Sequence, residues 1–164
     1  MVTFKGAPVS LKGKEAKIGD NAPKVELVAG DLSPKSVGGA SGKYQIINVV
    51  PSLDTGVCAT QTRTFNQKAA SLANTEVFVI SLDLPFAQGR FCSTEGIKNV
   101  LALSDFKSKA FGEAYGVVLG DSPLEGLLTR AVFVIDPQGK LIYKEIVSEI
   151  TNEPNYENAI NAIK

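Results

Sequence analysis

The sequence predicts a single-domain α/β protein with parallel strands at its centre. Three runs, Tyr44 to Val50, Val77 to Asp83 and Thr129 to Asp136, are nearly unbroken in Ile, Val and Phe. Strands covered on both faces read this way. A helical period from Val57 to Ala73 separates the first two, giving a strand–helix–strand unit. Pro137-Gln-Gly139 joins the third run to a fourth, Leu141 to Val147, as an antiparallel hairpin.

The remaining elements follow in order. Val2 to Lys5 and Pro8 to Leu11 flank a Gly6-Ala7 turn signal and read as an N-terminal β-hairpin. Gly19-Asp-Asn-Ala-Pro23 breaks the chain before the apolar segment Val25 to Ala29. Gly38-Gly-Ala-Ser-Gly42 matches neither a Walker lysine pattern nor GxGxxG, so a plain turn is expected rather than a phosphate cradle. Further helices are expected at Pro85 to Cys92, Asp105 to Tyr115 and Pro154 to Ile163. Asp83 and Glu153 stand near two of the starts, and Pro85 and Pro154 suit a first helical turn. This order, closed by a hairpin and a terminal helix, is that of a thioredoxin-like fold with an N-terminal β-hairpin, one domain over residues 1–164.

Bulk properties narrow the function classes. At 164 residues, 44% hydrophobic and 21% charged, the chain has the composition of one globular domain. Seventeen basic residues balance 17 acidic ones, so no net field draws it to nucleic acid or to an anionic membrane. The start, Met1-Val-Thr-Phe-Lys-Gly-Ala-Pro8, lacks the pattern of a secretory signal, and no apolar run approaches a membrane span. A cytoplasmic location is expected. Two cysteines without histidine do not close a tetrahedral zinc site, and no nucleotide motif is present, so neither metal nor cofactor is expected.

The two cysteines, Cys58 and Cys92, carry the chemistry. A thiol reacts mainly as its thiolate, so something must lower its pKa. No histidine exists to form an ion pair with it, which leaves a helix N-terminus, a hydroxyl or an arginine. Cys58 falls in the first turn of its helix and shares a wedge about 80° wide with Thr62, Phe65, Ala69 and Leu72. That wedge faces the sheet and leaves Cys58 close to unpaired backbone N–H groups. Thr55 can aim its hydroxyl at the sulfur or at a bound oxygen, and Gly56 permits close backbone approach. The alternative is an inert core cysteine on an apolar helix face.

Pro51-x-x-x-Thr55-x-x-Cys58 resembles the active-site motif of the peroxiredoxins. Ser52-Leu-Asp-Thr-Gly-Val-Cys-Ala59, Asp83-Leu-Pro-Phe-Ala-Gln-Gly-Arg-Phe-Cys92, Thr129-Arg-Ala-Val-Phe-Val-Ile-Asp136 and Glu149-Ile-Thr-Asn-Glu-Pro-Asn-Tyr156 are similar to the bacterial thiol peroxidase subfamily. The similarity runs essentially the whole length. It implies that Cys58 is the peroxidatic thiolate, that Thr55 hydrogen-bonds the peroxide, and that Pro51 shields the pocket from water. By the same resemblance Arg130 stabilises the thiolate and the leaving oxygen. On the residues alone, an arginine at a strand end is a solvated surface group. Arg63 competes as the cation but lies about 140° around the helix from Cys58.

Cys92 is, by this resemblance, the resolving thiol, giving an intramolecular Cys58–Cys92 disulfide reduced by thioredoxin. On its own it reads first as a half-buried helix residue packed beside Phe91 and Phe86. Two cysteines bridge only when their Cα atoms come within about 7 Å. Local unwinding at the start of the Cys58 helix and around Cys92 is therefore expected before they join. Alkyl hydroperoxides and hydrogen peroxide as substrates, and a homodimer, are further implications. Two other readings stay open: a thioredoxin-like thiol–disulfide oxidoreductase, for which Cys58-Ala-Thr-Gln61 lacks a second thiol, and a redox-regulated chaperone.

Overall fold

The apolar runs pair with one another and so set the architecture. The structure, a computed structural model, describes residues 1–163. The first half holds β1 (Val2–Phe4), β2 (Ala7–Val9), β3 (Leu11–Lys12), β4 (Val25–Ala29), β5 (Pro34–Val37), β6 (Tyr44–Val49), α1 (Gly56–Ala69) and β7 (Thr75–Ser81). It is followed by α2 (Pro85–Glu95), β8 (Leu101–Ser104), α3 (Ala110–Tyr115), β9 (Val118–Leu119), β10 (Ala131–Ile135), β11 (Leu141–Ile146) and α4 (Tyr156–Asn161).

Seven strands form one sheet in the order β11-β10-β6-β7-β8-β4-β5. β6, β7 and β8 are parallel, and the outer pairings are antiparallel. Because side chains alternate along a strand, the sheet has two buried faces. Ile47, Val49, Phe78, Ile80 and Phe133 point to the face that packs Phe111 and Tyr115 of α3. Ile46, Val79, Val132 and Val134 point to the other, against Cys58 and Phe65 of α1 and Ala159 of α4. The wedge expected on α1 is thus the buried one: Cys58, Thr62 and Phe65 are each 0% exposed. Ala69 and Leu72 are partly buried against the same cluster.

Several boundaries differ from the sequence reading, each for a local reason. Leu11 leaves the first hairpin and pairs with Leu119 in a separate two-stranded ladder. The hairpin turn is Lys5-Gly6, with φ of 51° and 82°, the doubly left-handed turn that matches strand twist. β5 and β8 were not expected; β5 is a polar edge strand and β8 only four residues long. Asp105 ends β8 rather than opening a helix. Its buried carboxylate accepts from the N–H groups of Phe111 (3.0 Å) and Gly112 (2.9 Å), holding α3 at a distance. Pro154 precedes the last helix, whose cap is Asn155, accepting from the Asn158 N–H at 2.9 Å. Pro85 is at the first turn of α2 as expected, but the cap residue is Leu84, with no side-chain bond.

The N-terminal hairpin is held down by one carboxylate. Glu149 accepts from the Thr3 hydroxyl (2.9 Å), the Gly6 N–H (2.9 Å) and the Lys5 N–H (3.2 Å), and from both the N–H and hydroxyl of Thr151. The Thr151 and Gly6 N–H groups are the main cause of a carboxyl pKa near 2, against an ordinary 4.5. A depressed folded-state pKa stabilises above the unfolded value, and that contribution disappears as pH falls through the folded one. Protection of the paired Thr3 and Ile150 amides should therefore fall between pH 4.5 and about 2. In Glu149→Gln it should be lower at neutral pH and flat across that window, as read by hydrogen exchange.

Candidate active site

Cys58 is the third residue of α1, whose first-turn N–H groups have no partner within the helix. Thr55 occupies the cap position in extended conformation (φ −101°, ψ 149°). Its hydroxyl turns back to donate to the Ser52 carbonyl at 3.0 Å rather than to the sulfur. Thr55 and Gly56 are exposed, whereas Cys58, one turn later, is sealed. Pro51, two residues past the end of β6, is buried.

A cation meets the sealed sulfur. Arg130 lies immediately before β10, is 2% exposed, and reaches across the sheet face to α1. Its Nη1 donates to Cys58 Sγ at 3.4 Å and to Gln61 Oε1 at 2.9 Å, while Nε donates to the Ile150 carbonyl at 2.7 Å. Gln61 Nε2 in turn donates to Asn48 Oδ1 (3.3 Å), and Asn48 Nδ2 to the Phe78 carbonyl (3.1 Å). This chain fixes the guanidinium plane from three sides. Its hydrogen-bond partners are two neutral oxygens and the sulfur. Among the described residues, no carboxylate forms an ion pair with it. The Cys58 sulfur is the reactive group among those hydrogen-bond partners.

Arg63 points away, as its helical position predicted. It is exposed and pairs with Glu95 at 2.5 Å. Cys92 is the eighth residue of α2, half-buried against the same apolar cluster as Cys58, and both thiols are free. Phe91 packs into that cluster with it, whereas Phe86 is 69% exposed and does not. Burial pushes the Cys92 thiol above its ordinary pKa. The end of α2 is tied to α1 by the Arg63–Glu95 pair and by Asn66 Oδ1, which accepts from the Lys98 and Asn99 N–H groups. A groove of about 580 Å³ between β4, β5 and α3 is lined by neither cysteine nor Arg130. Its volume is therefore no guide to the chemistry.

Sequence reasoning did not single out Gln61, Asn48 or Ile150. Two carried a signal: Gln61 lies one turn beyond Cys58, and Asn48 is a polar residue inside Ile46-Ile-Asn-Val-Val50. The Ile150 contribution is a backbone carbonyl, which leaves no trace in residue type.

A thioredoxin-like sheet carrying a sealed thiol at a helix start, faced by an arginine, defines a thiol-based redox protein. The match of residues 17–160 to the redoxin family, together with its relatives, places the chain in that family, in its thiol peroxidase branch. It is 59% identical to a thiol peroxidase of Campylobacter jejuni over 155 residues, covering 94% of this chain and 87% of the relative. It is 51% identical to a thiol peroxidase of Bacillus subtilis, covering 99% and 96%. The crystal structure of a peroxiredoxin-like protein from Aquifex aeolicus superposes with a TM-score of 0.96 at 49% identity, covering 99% and 94%.

Proposed function

We propose that the chain reduces hydroperoxides, alkyl hydroperoxides and hydrogen peroxide alike, through Cys58. The observation that carries this reading is the Arg130 Nη1 to Cys58 Sγ contact of 3.4 Å inside a sealed site. The nucleophile in this reading is the Cys58 thiolate, and both the cation and the N-terminus of α1 face it. A hydroperoxide enters past exposed Thr55, whose hydroxyl swings from the Ser52 carbonyl to the peroxide oxygen. The thiolate attacks the terminal oxygen, the S–O bond forms and the O–O bond breaks. The alkoxide, or hydroxide from hydrogen peroxide, leaves and takes a proton, so the products are an alcohol or water and Cys58 sulfenic acid. Arg130 donors face the charge as it moves from sulfur to the leaving oxygen, the arrangement that contributes several kcal/mol to such barriers. Pro51 keeps water from the pocket.

The sulfenic acid then condenses with the Cys92 thiol, releasing water and forming the Cys58–Cys92 disulfide. Both cysteines sit in intact helices, so α1 and the end of α2 unwind locally first. An external dithiol, thioredoxin by family likeness, reduces the disulfide. The enzyme acts in the cytoplasm as a homodimer in this reading; among the described residues no helix is long and apolar enough to cross a membrane.

Intact mass after one equivalent of peroxide tests the scheme. The parent should lose two hydrogens, and Cys92→Ser should gain one oxygen. An unchanged mass in both would remove the assignment.

A further inference from the structure

Asp83 belongs to neither cysteine-bearing helix, yet it binds the segments that lead to both. It follows β7 and stands two residues before α2. Oδ1 accepts from the Ser52 hydroxyl at 2.7 Å, and Oδ2 accepts from the Leu53 N–H and the Ser81 hydroxyl, each at 2.8 Å. A carboxylate at such a place ordinarily caps the helix that follows. Here its bonds run to the Ser52-Leu53 loop and back to Ser81, while α2 starts from Leu84 with no side-chain bond at the cap.

The two sides of this latch lead directly to the reacting groups. Ser52, held by Oδ1, presents its carbonyl to the Thr55 hydroxyl (3.0 Å) and the Thr55 N–H (3.2 Å), and Thr55 opens α1. On the other side, the Asp83 carbonyl accepts from the Ser104 hydroxyl at 2.6 Å. Gln88 of α2 donates to the Ser81 hydroxyl (3.1 Å) and the Leu103 carbonyl (2.9 Å). One carboxylate thus ties the loop that aims Thr55 to the root of the helix that carries Cys92.

Resting on the peroxidase reading above, we propose that Asp83 is a positioning residue that favours the first chemical step and restrains the second. Closed, it fixes the Thr55 hydroxyl and the first turn of α1 where a peroxide meets the Cys58 sulfur. Closed, it also limits the unwinding that brings Cys58 and Cys92 together. Release of the Ser52-Leu53 loop from Asp83 is part of the motion that precedes disulfide formation.

Quenched-flow oxidation by tert-butyl hydroperoxide, followed by alkylation and intact mass, resolves the two steps without a tryptophan probe, which the chain lacks. In Asp83→Ala the second-order loss of the Cys58 thiol should slow about 10- to 100-fold, the scale of a misplaced catalytic group. The first-order conversion of sulfenic acid to disulfide should quicken. Ser52→Ala, which removes the same contact from the other side, should change both rates in the same directions. Asp83→Asn, which keeps one acceptor and the shape, should recover most of the first rate. A general loss of stability would not distinguish Thr55 backgrounds. A positioning effect acts through that hydroxyl, so Asp83→Ala should cost little further in Thr55→Val. Additive losses, or disulfide closure no faster than in the parent, would overturn the latch alone. A parent whose mass peroxide leaves unchanged would remove the peroxidase reading and the latch with it.

Discussion

Cys58→Ser is expected to bring peroxide turnover down to that of the reductant alone while the chain stays folded. A hydroxyl at this site is a far weaker nucleophile than a thiolate, and no histidine is present to act as its base. The fold should tolerate the change, because Cys58 sits in a fully sealed site where oxygen replaces sulfur without adding volume. The serine hydroxyl can still accept from Arg130, so the stability cost is expected to stay within about 2 kcal/mol. Cys92→Ser separates the steps. It should still consume one equivalent of peroxide rapidly, but it should not turn over with a dithiol that acts on the Cys58–Cys92 disulfide. Peroxide assays under steady-state and single-turnover conditions distinguish the two variants. Equal single-turnover rates in Cys58→Ser and parent would end the assignment of Cys58 as nucleophile.

The legibility of this chain in sequence is uneven for physical reasons. β6, β7 and β10 are covered on both faces, so hydrophobicity alone marks them. The α1 wedge was readable because helical period and burial agree at Cys58, Thr62 and Phe65. β5 was not readable, since an edge strand with Pro34, Lys35 and Ser36 on it is polar by need. The Asp105 to Tyr115 segment misled because its acid does bind helix N–H groups, but from six and seven residues away. Asp83 misled in the opposite sense: it stands one residue before the cap position of α2 and serves a different loop. At the site, residue types visible in a motif were legible, and the Gln61–Asn48 support was only half so. The Ile150 carbonyl, which aims Arg130, depends on the chain returning across the sheet after β11 and has no residue signature.

Arg130→Met is expected to separate stability from reactivity. Arg130 is 2% exposed, and its hydrogen bonds run to two neutral oxygens and the sulfur. Removing it leaves the Ile150 carbonyl and Gln61 Oε1 without that donor, a loss of about 1–3 kcal/mol for each acceptor left unsatisfied. It also removes the desolvation cost of a buried cation that has no carboxylate partner, which acts in the other direction. Gln61 keeps its bond to Asn48. The net change in unfolding free energy should be small, within about 2 kcal/mol of the parent by denaturant titration. Reactivity should not follow. Without the cation the charge arriving on the leaving oxygen loses that donor, so the rate with peroxide at pH 7 should drop about 100- to 1000-fold. Arg130→Lys should recover little of it, since an ammonium cannot hold Ile150, Gln61 and the sulfur in one plane. A rate equal to the parent's would remove Arg130 from the reaction. A variant that unfolds outright would show instead that the guanidinium holds the sheet to α1.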